Sequence, residues 1–154
     1  MKIRLGDFEN AKVLALLRLH VEGMHASSPP GTCQALDVSG LRHPSISFFT
    51  AWDEGELLGI GAIKELSAQV GEIKSMRTDP GHLRKGVGEA LLRHLLSVAK
   101  TRAYRLVSLE TGTGPEFDAA LALYRRHDFQ KGQAFGEYEE TEFNQFFHLD
   151  LDGG

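Results

Sequence analysis

The chain has 154 residues, 42% of them hydrophobic and 25% charged, with a formal net charge of -4 and one cysteine, Cys33. That is the size and make-up of one ordinary domain with its own core, which excludes disorder, collagen and coiled coil as readings of the whole. A lone cysteine excludes an intrachain disulfide and a cysteine-built zinc site, and it suits a reducing, cytoplasmic setting.

Charge also bears on partners. Binding to a phosphate backbone calls for a basic excess, so no nucleic-acid partner is expected. No apolar run is long enough to span a bilayer, and the opening residues lack the apolar stretch of a secretory leader, so no membrane is expected either. Locally the balance is uneven. Residues 82–105 hold six Lys or Arg and one acid, whereas residues 137–152 hold six acids and no Lys or Arg. The first stretch suits an anionic ligand; the second is either a solvated face or a draw for a cationic one.

Lys2–Leu5 reads as a short strand. Asp7 reads as the N-cap of a helix on which Val13, Leu16, Leu17, His20, Val21 and Met24 recur at helical spacing. Residues 26–32, rich in Ser, Pro and Gly, form a surface loop. Residues 45–52 and 57–66, joined by Asp53-Glu54-Gly55, read as a hairpin. Val70–Thr78 is a third strand, stopped at Asp79-Pro80-Gly81. Residues 86–102 make the strongest helix. Val87, Leu91, Leu95 and Val98 mark one face, with Leu92, Leu96 and Ala99 beside it, a surface wide enough to lie between layers. A strand at 106–109, a helix from Pro115 to about His127, and late strands at Phe129 and at 143–151 complete the order. Strand, helix and strand from 70 to 109 require a right-handed crossover and parallel pairing, with antiparallel hairpins before and after. The expected fold is α/β: a mixed central sheet of six to seven strands flanked by helices on both faces, in a single domain over residues 1–154.

The most informative stretch runs from Glu72 to Leu92. A strand enters a loop holding Arg84, Lys85, Gly86 and Gly88, and the loop enters a long helix at once. Unpaired N–H groups at a helix N-terminus carry partial positive charge and bind phosphate, and glycines allow close approach. Gly86-Val87-Gly88 is weak evidence by itself. Leu91 stands where a dinucleotide fingerprint has its third glycine, and the Gly-Lys-Ser/Thr of a P-loop is missing. The glycines could equally relieve crowding against the strand.

The whole pattern is more specific. The strand, the Asp-Pro break, Leu83-Arg84-Lys85-Gly86-Val87-Gly88 and the amphipathic helix together resemble motif A of the GNAT superfamily, the acyl-CoA-dependent N-acetyltransferases. Residues 120–129, with Ala120, Leu123, Tyr124 and Phe129, resemble that superfamily's later segment. Glu72-Ile73-Lys74-Ser75-Met76-Arg77 and Phe135-Gly136-Glu137-Tyr138 are similar to a branch of small bacterial acetyltransferases. The resemblance implies acetyl-CoA as co-substrate, with no metal. It implies that the backbone of Met76 and Thr78, with Arg77 between, pairs with the pantetheine arm. It places the Met76 N–H near the thioester carbonyl, wraps the pyrophosphate in Leu83, Arg84, Lys85, Gly86, Val87 and Gly88, and stands Tyr124 near the sulfur. Leu83 stands where the superfamily prefers Arg or Gln, Phe117 where it often has Asn, and Asp128 where it often has Gly.

Transfer of an acetyl group to an amine needs a neutral amine, a stabilised oxyanion, two reactants held together and a proton for the thiolate. Tyr124 is the candidate acid; the plainer reading is a core tyrosine beside Leu121 and Leu123. Glu72 is the candidate base, expected to share a strand face with Lys74 and Met76; the plainer readings are a glutamate paired with Lys74, or proton loss to water. The seven histidines show no metal-ligand spacing, so no metal is expected. His25, Ser27 and Ser28 could line the acceptor side or merely connect. Phe143, Phe146 and Phe147 could pair across a homodimer or fill the core. The function expected is direct acetyl transfer to a small acceptor, an amine, in a ternary complex. A non-catalytic acyl-CoA-binding or sensing module, and a domain holding ATP or NAD, are the alternatives.

Overall fold

Strands β1 (Lys2–Leu5), β2 (Ile46–Asp53), β3 (Glu56–Ser67), β4 (Val70–Thr78), β5 (Leu106–Gly112), β6 (Gln130–Gly132) and β7 (Asn144–Asp150) form one sheet. Their order is β1-β2-β3-β4-β5-β7-β6. Only β4 and β5 are parallel; every other neighbour pair is antiparallel. The structure is a computed structural model that describes residues 1–26, 38–136 and 138–151, apart from the side chains of 24–26. The loop carrying Ser27, Ser28 and Cys33 lies outside the described residues, as does the side chain of His25.

Helix α1 (Ala11–Ala26) and the short α2 (Val38–Leu41), which sequence periodicity missed, pack on one face. Helices α3 (Val87–Thr101) and α4 (Asp118–Arg126) pack on the other. Strand alternation sends Phe48 to the first core and Phe49 to the second. On α3, Val87, Leu91, Leu92, Leu95 and Ala99 are all buried. The helix sits close to the sheet because β3 carries glycine beneath it. A Cβ on Gly59 would lie 2.8 Å from Val87 Cγ1, and one on Gly61 would lie 3.3 Å from Leu95 Cδ1.

Local chemistry corrects two expectations and decides one open alternative. Asn10, not Asp7, caps α1: its Oδ1 accepts from the Lys12 N–H at 2.8 Å. Asp7 lies three residues further back with φ +86, and its carbonyl accepts from the Asn10 N–H in the turn before the helix. The helix expected from Pro115 splits into a 3-10 turn, Pro115–Phe117, and α4. Phe117 seats its ring over Gly112, where any side chain would collide. Phe146 and Phe147 are buried in the sheet's own core, so they fill it and do not form a dimer face; Phe143 alone of the three is exposed.

The decisive feature is where pairing stops. β4 and β5 are joined only at Val70↔Leu106, Gly71↔Val107 and Glu72↔Ser108. Beyond that point residues 73–78 have no neighbour on the β5 side. The opposite edge of β4 is bulged. Its pairing with β3 gains one residue between Lys74 and Arg77, and Ser75 there takes φ +56.

Candidate active site

The gap between the diverging strands opens a cleft of about 190 Å³. β4 lines it with Glu72 through Arg77, β5 with Leu109, Glu110 and Thr111, α4 with Ala120 and Tyr124, and α1 with His20. Because the gap passes through the sheet, the cleft reaches both helical layers.

The bulge overturns the expected strand faces. Ile73 packs in the α3–α4 core, and Met76 joins that same side, its Sδ lying against Gly61 beneath α3. Glu72 and Lys74 face the other way. The extra residue at Ser75 shifts the alternation by one, so Glu72, Lys74 and Met76 do not share a face. Arg77 returns to the α1 side, where its guanidinium lies against Gly23.

On the α1 side a buried polar cluster forms. Glu72 is 3% exposed. Its Oε2 accepts from Tyr138 Oη at 2.5 Å and from Lys74 Nζ at 3.3 Å, and Lys74 also donates to Tyr138 Oη at 2.7 Å. Burial and then the Glu72 charge hold the Tyr138 phenol well above its ordinary value, so it stays protonated and donates. Glu110 lies across the gap. Burial raises its carboxyl, against the hydrogen bond from Asn144 and the charge of Lys74, with the Glu72 charge raising it further. His20 Nδ1 and Ser75 Oγ are buried with no hydrogen-bond partner among the described residues. Burial first, and the Arg77 charge second, lower His20 to about 4, so it is neutral near pH 7.

On the α3–α4 side, Tyr124 is buried at the cleft wall, and burial raises its phenol to about 12. No described residue bonds its hydroxyl. At the strand's end, the chain makes a 3-10 turn capped by Asp79, whose Oδ1 accepts from the Gly81 N–H. Arg84 (φ +65) and Gly86 (φ +78) are both left-handed, just before the N-terminus of α3. A Cβ on Gly88 would meet nothing closer than 3.5 Å, so crowding does not explain that glycine; Gly86 is required by its φ. Lys85 Nζ lies 3.0 Å from His82 Nδ1, whose ring bonds Glu56, and Leu83 is exposed. The Val87 side chain is buried in the core. Met76, Arg77 and Thr78 end the unpaired strand edge, adjacent to this loop. Among the described residues no cluster of His, Cys, Asp or Glu could hold a metal.

Glu110, Tyr138 and His20 were not assigned roles by sequence reasoning, whereas Lys74 was named as a partner for Glu72, and the two do pair. His20 had a signal, a histidine on the apolar stripe of α1. Glu110 lay one residue past the end expected for its strand. Tyr138 comes from the β6–β7 connection, 66 residues from Glu72; its segment Phe135-Gly136-Glu137-Tyr138 carried the family resemblance but no role.

Residues 13–129 match the model of the "Acetyltransferase (GNAT) family". The chain belongs to the GNAT family of acetyltransferases. It is 42% identical to the uncharacterized N-acetyltransferase YedL of Escherichia coli, over 97% of this chain and 94% of that one. A solved Klebsiella pneumoniae protein, provisionally named an acyl-CoA N-acyltransferase, is 28% identical with a TM-score of 0.80, covering 97% of each chain. A Bacillus subtilis acetyltransferase solved with CoA has the same fold at 21% identity, with a TM-score of 0.72 over 97% of this chain and 98% of that one. The GNAT chain is thus an acetyltransferase that depends on acetyl-CoA. No described helix of this GNAT protein is long and apolar enough to cross a membrane.

Proposed function

We propose that this protein transfers the acetyl group directly from acetyl-CoA to a small amine, both bound at once in the β4–β5 gap, in a cytoplasmic setting. The observation that carries the reading is the gap itself. It exposes an unpaired strand edge to one ligand on the α3–α4 side and a buried acid–base cluster to another on the α1 side. An amide-rich arm pairs with such an edge as an added strand would. The amides of residues 83–88 take the pyrophosphate, helped by Arg84. The bulge leaves Ser75 and Met76 out of register with β3, and the Met76 N–H is the donor for the developing oxyanion.

The acceptor ammonium must lose a proton before it attacks. Lys74 and Tyr138 already occupy Glu72 Oε2, which stabilises that carboxylate and orients it. Glu110, raised by burial, is the readier proton acceptor beside it. The role expected of Glu72 is thus shared by the pair. The lone pair of the neutral amine attacks the thioester carbon and the C–S bond breaks; the proton that the nitrogen then sheds balances the one that the sulfur takes up to leave as CoA thiol, with Tyr124 serving that sulfur.

No acetyl-enzyme forms in this scheme. Initial rates of CoA release, measured while acetyl-CoA and an amine from a panel are both varied, are expected to give intersecting double-reciprocal lines. Parallel lines would show a covalent intermediate and overturn it. Acetyl-CoA binding with no release across the panel would favour a sensing module.

A further inference from the structure

We propose that the acceptor is an amino acid-type zwitterion, whose carboxylate seats against Arg77, His20 and Ser75 while its amine faces Glu72 and Glu110. The inference rests on the transfer reading above and names its substrate class.

Four observations on the α1 side converge. Arg77 lines the cleft, and no hydrogen bond or ion pair among the described residues engages its guanidinium. Its position is built for. A Cβ on Gly23 of α1 would stand 3.2 Å from Arg77 Nη2, so the glycine leaves room for the cation. His20, 6% exposed, holds a buried Nδ1 with no partner among the described residues. Ser75 Oγ, on the bulge between Lys74 and Arg77, is the second such atom, and both residues line this cleft. Buried polar atoms without partners are uncommon, because each forgoes its hydrogen bond to water. Here two of them line the cleft that the Arg77 cation also lines, and one anionic oxygen group supplies a partner for each.

Charge selects the anion. Arg77 is one positive charge, His20 is neutral, and carboxylates stand on the far side of the same cleft. A singly charged carboxylate balances this set, and its planar oxygens match the guanidinium fork. A doubly charged phosphate would leave excess charge facing Glu72 and Glu110. The cluster also runs in the order a zwitterion needs, carboxylates at one end and Arg77 at the other, with the bulge between them.

The test compares the common L-amino acids with their carboxamides as acceptors, reading CoA release from acetyl-CoA. At least one free amino acid is expected to exceed its own carboxamide at least tenfold in kcat/KM. Arg77→Gln is expected to narrow that ratio to within twofold by raising KM for the acid, with KM for acetyl-CoA unmoved. Carboxamides that serve as well as acids overturn the proposal using the wild-type protein alone, whether or not the variant folds. If no amine of either set releases CoA although acetyl-CoA still raises the unfolding midpoint, the acceptor proposal falls and acetyl-CoA binding stands. If acetyl-CoA raises no midpoint, the transfer reading falls with it.

Discussion

A Tyr124→Phe variant is expected to turn over at least tenfold more slowly than the wild type, with acetyl-CoA binding nearly unchanged. The change removes one oxygen from a buried ring that keeps its packing against Phe129. Burial raises the Tyr124 phenol to about 12, so it is protonated at any working pH and can only donate. A free thiol titrates near 8.5, so in water this phenol would not hand a proton to a finished thiolate. In the cleft both groups are desolvated, and desolvation raises the thiolate's proton affinity by the same cause. Tyr124 therefore stabilises the sulfur by a hydrogen bond that strengthens as charge develops. Its contribution belongs at the low end of the roughly 10²- to 10⁴-fold typical of general acid catalysis. Such an interaction exists in the transition state and not in the ground state, so kcat falls and KM for acetyl-CoA holds. Steady-state rates check this, and normal turnover by the variant would remove Tyr124 from the chemistry.

Acidification is expected to destabilise the wild-type protein more than a His20→Gln variant. The folded state keeps His20 neutral down to about 4, whereas in the unfolded chain it titrates near its ordinary value of 6.5. Between these values the unfolded state binds more protons, so stability falls as pH falls through the window and is fully present above it. The integrated difference at about pH 5 is on the order of 2 kcal/mol. Burial sets the sign, and the charged groups around His20 do not reverse it. Arg77 opposes a proton there, and the cleft carboxylates Glu72, Glu110 and Glu116, which would favour one, do not outweigh burial. Urea unfolding at about pH 7.5 and about pH 5, for wild type and variant, isolates the term from other titrations. Equal losses in both proteins would show that His20 takes up its proton without cost in the folded state.

The sheet was largely legible in the sequence because its signals are local. Alternation and turn residues located β2, β3 and β4, and the apolar surface of α3 placed that helix between layers. The parallel step from β4 to β5 followed from one crossover. The anion loop was legible for a similar reason: Arg84, Lys85, Gly86 and Gly88 are contiguous. The acid–base cluster was not, because its members meet only in three dimensions. Tyr138 reaches Glu72 from a loop, and Glu110 crosses a gap that exists because pairing stops at Glu72↔Ser108. The clearest failure came from one residue. Strict alternation put Met76 beside Glu72, but Ser75 adopts a left-handed bulge that no local propensity signals, and every side chain after it changes face. That exception lies where the cleft opens, at the point where a regular strand would have kept the sheet closed.

Thermal unfolding in the presence of acetyl-CoA, CoA, NAD or ATP at equal concentration tests the assignment of the β4–β5 gap and the α3 loop most directly. A ligand that binds only the folded state raises the midpoint according to its occupancy. Acetyl-CoA and CoA are expected to raise it, and NAD and ATP to leave it unmoved. A midpoint indifferent to both CoA forms, or raised more by ATP or NAD, would contradict the account.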